Sequence, residues 1–164
     1  MSQPLTAYAV GGILSEENNM YKEIEIKTAE GEAQLTPFKA TGTTAYRFKQ
    51  LTKKDLMICI TNMLAAIGDL NSENDSDNTK TMIAIASSGE LESISQLAYV
   101  MYRQATAKSI NDMADMNIEN YLDWLDQYDS MEFLWNAVAI IKIYMNNTET
   151  SSEPKKEDAQ LKEE

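Results

Sequence analysis

The three prolines of this 164-residue chain stand at positions 4, 37 and 154, so residues 38 to 153 contain none. A proline inside a helix removes a backbone hydrogen bond and clashes with the preceding turn. Its absence leaves a long stretch free to be helical, and from Thr43 the apolar residues recur at helical spacing. A short helix is expected over Thr43–Gln50. Thr52-x-x-Asp55 resembles a capping box, with Asp in place of Glu or Gln, and opens a helix carrying Leu56, Ile60, Met63, Leu64 and Ile67 up to Gly68. Further helices are expected at Thr79–Ser88, with Gly89 as the break, at about Glu90–Lys108, and around Ile118, Tyr121, Leu122 and Leu125. Met131–Met145, with Asp129 or Ser130 as its cap, is apolar nearly all round. Such a helix lies centrally in a core or against a partner.

The flanks differ. Residues 1–20 show no clear periodicity and contain Pro4, Gly11, Gly12 and the polar run 15–19, which suggests a flexible arm with apolar spots at Ala7–Leu14. Tyr21–Thr28 alternates, Ala29–Glu32 reads as a turn around Gly31, and Ala33–Lys39 can return as a second strand. Pro37 would confine that strand to an edge. Asp69–Asn78 is an acidic loop. Asn147–Glu164 lacks aromatic residues and is rich in charge, as a disordered tail is. The expected organisation is therefore an arm (1–20), a domain (21–146) and a tail (147–164). The expected fold is mainly α: a compact domain of about five helices with a small N-terminal β-hairpin.

Composition narrows the function. No histidine is present, which removes the usual acid–base group near neutral pH, histidine-based triads and the commonest metal ligand. The single cysteine, Cys59, sits in an apolar helical stretch and is expected to be a buried structural thiol; it rules out an internal disulfide, in keeping with a reducing cytoplasm. No positive region precedes the first apolar patch, since the first basic residue is Lys22. Met131–Met145 is too short and polar to span a bilayer. The net charge of −12 disfavours nucleic acid and anionic membranes as partners. No phosphate loop, dinucleotide fingerprint, nucleophile elbow or zinc spacing occurs. No enzyme, cofactor, metal or catalytic residue is expected.

Two acidic groups invite chemistry and fall short. Asp69, Asn71, Glu73, Asp75 and Asp77 alternate as in a calcium loop, but Asn74 replaces the turn glycine and Lys80 stands where a bidentate glutamate belongs. Glu119, Asp123, Asp126 and Asp129 are spaced along one helical side and read as a solvated face. The basic set is more informative: Lys39, Arg47, Lys49, Lys53 and Lys54 fall within 16 residues free of acids, which leaves 9 basic against 26 acidic groups elsewhere. Such asymmetry can orient subunits head to tail or grip an acidic partner. Aromatic residues cluster late, and aromatic anchors serve interfaces as well as cores. The expected partner-binding residues are Trp124, Tyr121, Phe133, Trp135 and Tyr144, with Arg47, Lys49, Lys53 and Lys54. Trp124 leads because it lies off the Tyr121–Leu125 stripe.

Several segments resemble one family in order along residues 34–156. They are Pro37-Phe38-Lys39-Ala40-Thr41-Gly42-Thr43-Thr44 with Tyr46-Arg47 and Asp55-Leu56; Leu97 to Ala105; Tyr121-Leu122-Asp123-Trp124-Leu125-Asp126; and Asn146-Asn147 before Pro154-Lys155-Lys156. Together they resemble the tail assembly chaperones of phages that infect Gram-positive bacteria. The chain departs from the family at Thr52-Lys53-Lys54, which replaces a glycine-containing turn, in the long arm, and in the acidic loop. The resemblance implies a protein of the host cytoplasm, absent from the mature virion. It would coat the apolar, helical tape measure protein, be displaced as tail tube protein polymerises, and self-associate. It also implies a longer, frameshifted form, for which codons at Lys155–Lys156 could supply the slippery run. The competing expectation is an acidic DNA-mimic inhibitor of a host DNA-binding protein, which the basic set at 39–54 opposes.

Overall fold

The computed structural model describes residues 21–70 and 78–152, with side chains described for 21–68 and 79–146. The arm, the centre of the acidic loop and the tail from 153, including Lys155–Lys156, lie outside the described residues.

The hairpin forms as the alternation predicts. β1 (Tyr21–Lys27) and β2 (Ala33–Lys39) pair antiparallel, in register from Tyr21↔Lys39 to Lys27↔Ala33. Gly31, at φ +86°, supplies the left-handed residue of the turn. Ile24, Ile26, Thr36 and Phe38 face the core. Lys27 turns its backbone away from β2: its N–H donates to Glu132 Oε2 at 3.1 Å and its carbonyl accepts from Asp129 N–H at 3.0 Å. By the alternation of an antiparallel ladder, Pro37 then also points its missing donor outward, at the free edge of β2.

Seven helices follow among the described residues: α1 (Thr44–Thr52), α2 (Leu56–Leu70), α3 (Asn78–Ser87), α4 (Leu91–Thr106), α5 (Ile118–Leu125), α6 (Glu132–Trp135) and α7 (Ala137–Ser152). A 3₁₀ turn, Ile110–Met113, precedes α5. The mainly helical fold with an N-terminal hairpin stands as expected. The central element, however, is α4 and not the Met131–Met145 stretch. Nine consecutive residues of α4, Ser93 to Met101, are buried, because β2, α1, α5, α6 and α7 all pack on it.

The stretch expected as one helix breaks at Asn136, whose side-chain amide donates to the Glu132 carbonyl at 2.9 Å. The core does not absorb the apolar pattern all round: Phe133, Leu134, Ala137, Ile140, Ile141 and Tyr144 are buried, while Met131, Trp135 and Val138 stay partly exposed. The expected cap, Asp129 or Ser130, is not realised: the N-cap of α6 is Met131, without a side-chain cap bond, and Asp129 Oδ1 accepts from Met131 N–H at 3.0 Å in the turn before the helix. The backbone of α7 continues as helix to Ser152, past the boundary placed at Asn146.

Two segments quoted for the family resemblance meet in space. Thr44 Oγ1 donates to Gln104 Oε1 at 2.7 Å, and Gln104 Nε2 donates to Thr41 Oγ1 at 2.7 Å and Thr43 Oγ1 at 3.2 Å. This knot ties the chain entering α1 to the end of α4. Arg103 ties the 3₁₀ turn to α4: it donates to the Tyr99 hydroxyl at 2.9 Å and pairs with Asp115.

The expected capping box at Thr52 does not open α2. Thr52 ends α1, and Asp55 alone caps α2, its Oδ1 accepting from Met57 and Ile58 N–H at 3.0 and 3.3 Å. Between them Lys53 takes φ +63°, ψ 8°, a left-handed conformation that costs a residue with a Cβ roughly 1 kcal/mol. Lys53→Gly is therefore expected to stabilise the fold by about 1 kcal/mol and raise the melting temperature by about 2–4 °C. Thermal unfolding by circular dichroism checks this, and an unchanged or lower midpoint contradicts it.

Candidate binding groove

The sequence-predicted aromatic residues are brought together, but mostly inside the protein. Trp124 is 6% exposed and sits at the centre of a cluster. Its ring lies 5.3 Å from those of Tyr99 and Tyr102, 5.1 Å from Tyr128 and 5.0 Å from Phe133, centroid to centroid. Aromatic pairs at such distances add to the area they bury. Tyr121 stacks edge-on against Tyr99 and shares a hydrogen bond of 2.7 Å with Ser95. Burial pushes the Tyr121 and Tyr128 phenols up; Ser95 opposes it at Tyr121, and Thr36 and Trp124 oppose it at Tyr128. Trp124 Nε1 approaches Tyr128 without closing a hydrogen bond of normal geometry. Phe133 and Tyr144 are buried as well. Of the five aromatic candidates only Trp135, 47% exposed, stands at the surface. Trp124 missed the Tyr121–Leu125 stripe because α5 is wedged between α4 and solvent and turns a second apolar side inward.

The four basic candidates gather on α1 and the turn after it. Lys49, Lys53 and Lys54 are exposed and Arg47 is half-buried. Arg47 Nε contacts Thr43 Oγ1 at 3.4 Å, Lys53 Nζ donates to the Gln50 carbonyl at 3.0 Å, and Lys54 lies 3.8 Å from Glu90.

The surface that the sequence did not single out is a groove of about 700 Å³ between the start of α4, α5 and α6. Asn117 caps α5, accepting from Asn120 N–H at 2.8 Å, and this fixes the helix phase. Tyr121 and Trp124 then point into the core, while Ile118, Leu122 and Leu125 turn to the groove. Leu91 and Met131 complete the apolar wall. Leu122 and Leu91 are each 49% exposed, and Ile118 and Met131 more than 40%. The carboxylates Glu92 and Asp126 also line it. Gln96, 7% exposed, is part of the floor, and its Oε1 has no hydrogen-bond partner. A buried polar atom without a partner is costly and uncommon. The signal in the sequence was an excess: an eight-residue helix carrying Ile118, Tyr121, Leu122, Trp124 and Leu125 holds more apolar surface than one core face can absorb.

Glu90 stands immediately before α4, next to Leu91 and Glu92 of the groove wall. Its Oε2 accepts from Ser93 Oγ at 2.6 Å and its Oε1 from Asn62 Nδ2 at 3.1 Å, which joins α4 to α2. Burial alone would raise its pKa. The hydrogen bonds from Ser93, Asn62 and Cys59, together with the Lys54 ammonium, outweigh burial and hold it below the ordinary value of 4.5. Cys59 itself is buried, and burial first of all pushes its thiol up, as befits an inert structural cysteine. Elsewhere α2 leaves Met57, Ile58 and Leu64 exposed, so Leu64 does not share the burial of Leu56, Ile60 and Met63.

Among the described residues no cluster of potential ligands could hold a metal ion, and no helix is long and apolar enough to cross a membrane. The alternating acidic set at 69–77 falls largely outside the described residues. Comparison of the chain with protein-family models, curated proteins and solved structures gives no match.

Two outcomes follow from these contacts. Trp124→Ala is expected to cost about 3–5 kcal/mol, the usual loss for a large aromatic removed from a core, read as a lowered urea midpoint. A purely surface role for Trp124 would leave the midpoint within about 0.5 kcal/mol. The second concerns acid. The folded-state pKa of Glu90 is lowered, so its stabilisation is complete above the unfolded value near 4.5 and is lost as pH falls through the folded value. Exposed Asp115, whose pKa the Arg103 hydrogen bond lowers, acts in the same direction. Urea unfolding between about pH 6 and pH 3 should therefore show falling stability in the acid range, with a shallower fall for Glu90→Gln. Equal slopes would contradict the Glu90 account.

Proposed function

We propose that this protein is a chaperone for an apolar helical segment, and specifically a phage tail assembly chaperone that shelters the tape measure protein. The groove of Leu91, Ile118, Leu122, Leu125 and Met131 carries the reading. A groove of this kind suits an amphipathic helix with anchors at i, i+3 or i+4, and i+7. The acidic residues Glu92 and Asp126 favour basic flanks on the partner, and the Gln96 amide offers an acceptor to a polar side chain. The net charge of −12 keeps a complex with an apolar client in solution. The ordered resemblance to the chaperone family points to the tape measure protein as client and to tail tube protein as the agent that displaces it. The basic residues of α1 and the turn after it suit contact with the acidic surface of a second copy. On this reading the protein acts in the host cytoplasm without catalysis, cofactor or metal.

Co-expression with a tape measure fragment from the same genome tests the proposal. The wild-type chain is expected to hold the fragment soluble and co-purify with it. Leu122→Asp and Ile118→Asp, both at exposed positions, should each weaken binding about tenfold or more while leaving the melting temperature within a few degrees. A fragment that stays insoluble beside the wild-type chain, or binding indifferent to both changes, counts against the groove as the client site.

A further inference from the structure

From Leu56 to Gly68 helix α2 carries no charged residue, in a chain that is 24% charged. Leu56, Cys59, Ile60 and Met63 face the core. The opposite side of such a helix is ordinarily polar. Here Ile58 is 62% exposed and Met57 and Leu64 are each 44% exposed, with exposed Thr61, Ala65 and Gly68 among them. Met57, Thr61, Leu64 and Gly68 are spaced four, three and four apart, the spacing of a coiled-coil seam, and Ile58 and Ala65 flank it. The ends of the helix add a second feature. Lys53 and Lys54 stand just before its N-terminus, and Asp69 lies in its last turn, which holds no basic residue. The backbone dipole is positive at the first end and negative at the second. Asp55 answers it at the N-terminus as the cap. The two lysines and Asp69 carry the sign that their own helix end disfavours. Lys53 donates to the Gln50 carbonyl and pairs with no carboxylate among the described residues.

We infer that α2 is the contact between two copies of this chain, packed antiparallel about a two-fold axis. A two-fold makes one patch meet itself, and reversing the second helix answers both features at once. In the seam Met57 of one copy falls opposite Gly68 of the other, and Leu64 opposite Thr61, so each layer sets a large side chain against a small one. Such layers let the helix axes approach to about 8–10 Å. Lys53 and Lys54 of each copy come to the helix end where the other carries Asp69, and the two dipoles oppose. A parallel pair would instead set lysines beside lysines and Asp69 beside Asp69. A foreign helix would have to bring matched charges at both ends, whereas a second copy already holds them. A single pair of 15-residue helices is a small interface, so the dimer is weak, with a dissociation constant on the order of 10 µM. No residue of α2 lines the groove, so this contact is separate from the proposed client site.

Sedimentation equilibrium of the full chain tests this. The mean mass is expected to rise from 18.4 kDa toward twice that value between about 1 and 200 µM. Ile58→Glu and Leu64→Glu, both at exposed positions, should each weaken the association about tenfold or more while the melting temperature stays within a few degrees. Leu122→Asp in the groove should leave the association unchanged. Lys53→Glu and Asp69→Lys should each weaken it about threefold or more, and the double variant should restore it. A chain that stays monomeric to about 200 µM overturns the proposal. So does a dimer indifferent to both Ile58→Glu and Leu64→Glu. Charge changes whose losses add instead of cancelling overturn the antiparallel arrangement. A monomer that loses the tape measure fragment on Leu64→Glu gives α2 to the client, and that also overturns the proposal.

Discussion

The enclosure of α4 is the constraint from which the rest of the structure follows. A helix buried over nine successive residues has no solvent face, so every direction around it must be filled. The hairpin covers one side, α1 another, and α5, α6 and α7 the remainder. Its polar residues then need partners inside the protein. Ser93 finds Glu90, Ser95 finds Tyr121, and Gln104 at the more open end finds three threonines. Gln96 Oε1 alone is left over, and it lies where the cover is incomplete, at the floor of the groove. The groove is thus the gap in the sleeve around α4.

The gap has a physical origin in α5. A helix of eight residues cannot both wedge Trp124 and Tyr121 against α4 and fold its outer leucines under another element. Asn117 fixes the phase that puts the aromatic residues inside. Ile118 and Leu122 are exposed as the direct consequence. The Trp124 cluster and the apolar groove are two sides of one short helix, so the packing of the cluster fixes where the groove wall stands.

Much of the fold was legible in the chain because periodicity and punctuation agree. The hairpin bounds, the turn at Gly31 and the break at Gly89 all follow from backbone chemistry that acts locally. The misplacements share a cause, since each depends on what packs against an element. Met131–Met145 read as central or partner-facing because an all-round apolar pattern cannot report that Met131, Trp135 and Val138 would be left partly exposed. The full enclosure of α4 was not legible, because its buried serines and glutamine count as polar until their partners are known. Trp124 looked like a contact residue because helical spacing defines a stripe but not how many sides of the helix are covered. Lys53 sits left-handed where the resemblance led one to expect a glycine, so the turn was legible and its strain was not.

Charge and apolar surface solve opposite problems on the same molecule. Exposed Leu91, Ile118, Leu122 and Met131 would drive unselective association if they stood on a neutral surface. A net charge of −12 opposes that association at long range, where an apolar contact has no reach. The repulsion is also selective. It would weaken against a partner with basic flanks, which under the proposed function would approach Glu92 and Asp126 and bring an apolar face into the groove. It would weaken likewise where Arg47, Lys49, Lys53 or Lys54 met an acidic surface. If the groove takes an apolar helix as proposed, an acidic background with a basic segment elsewhere would let the protein discriminate among apolar partners by their charge, a property the groove alone could not supply.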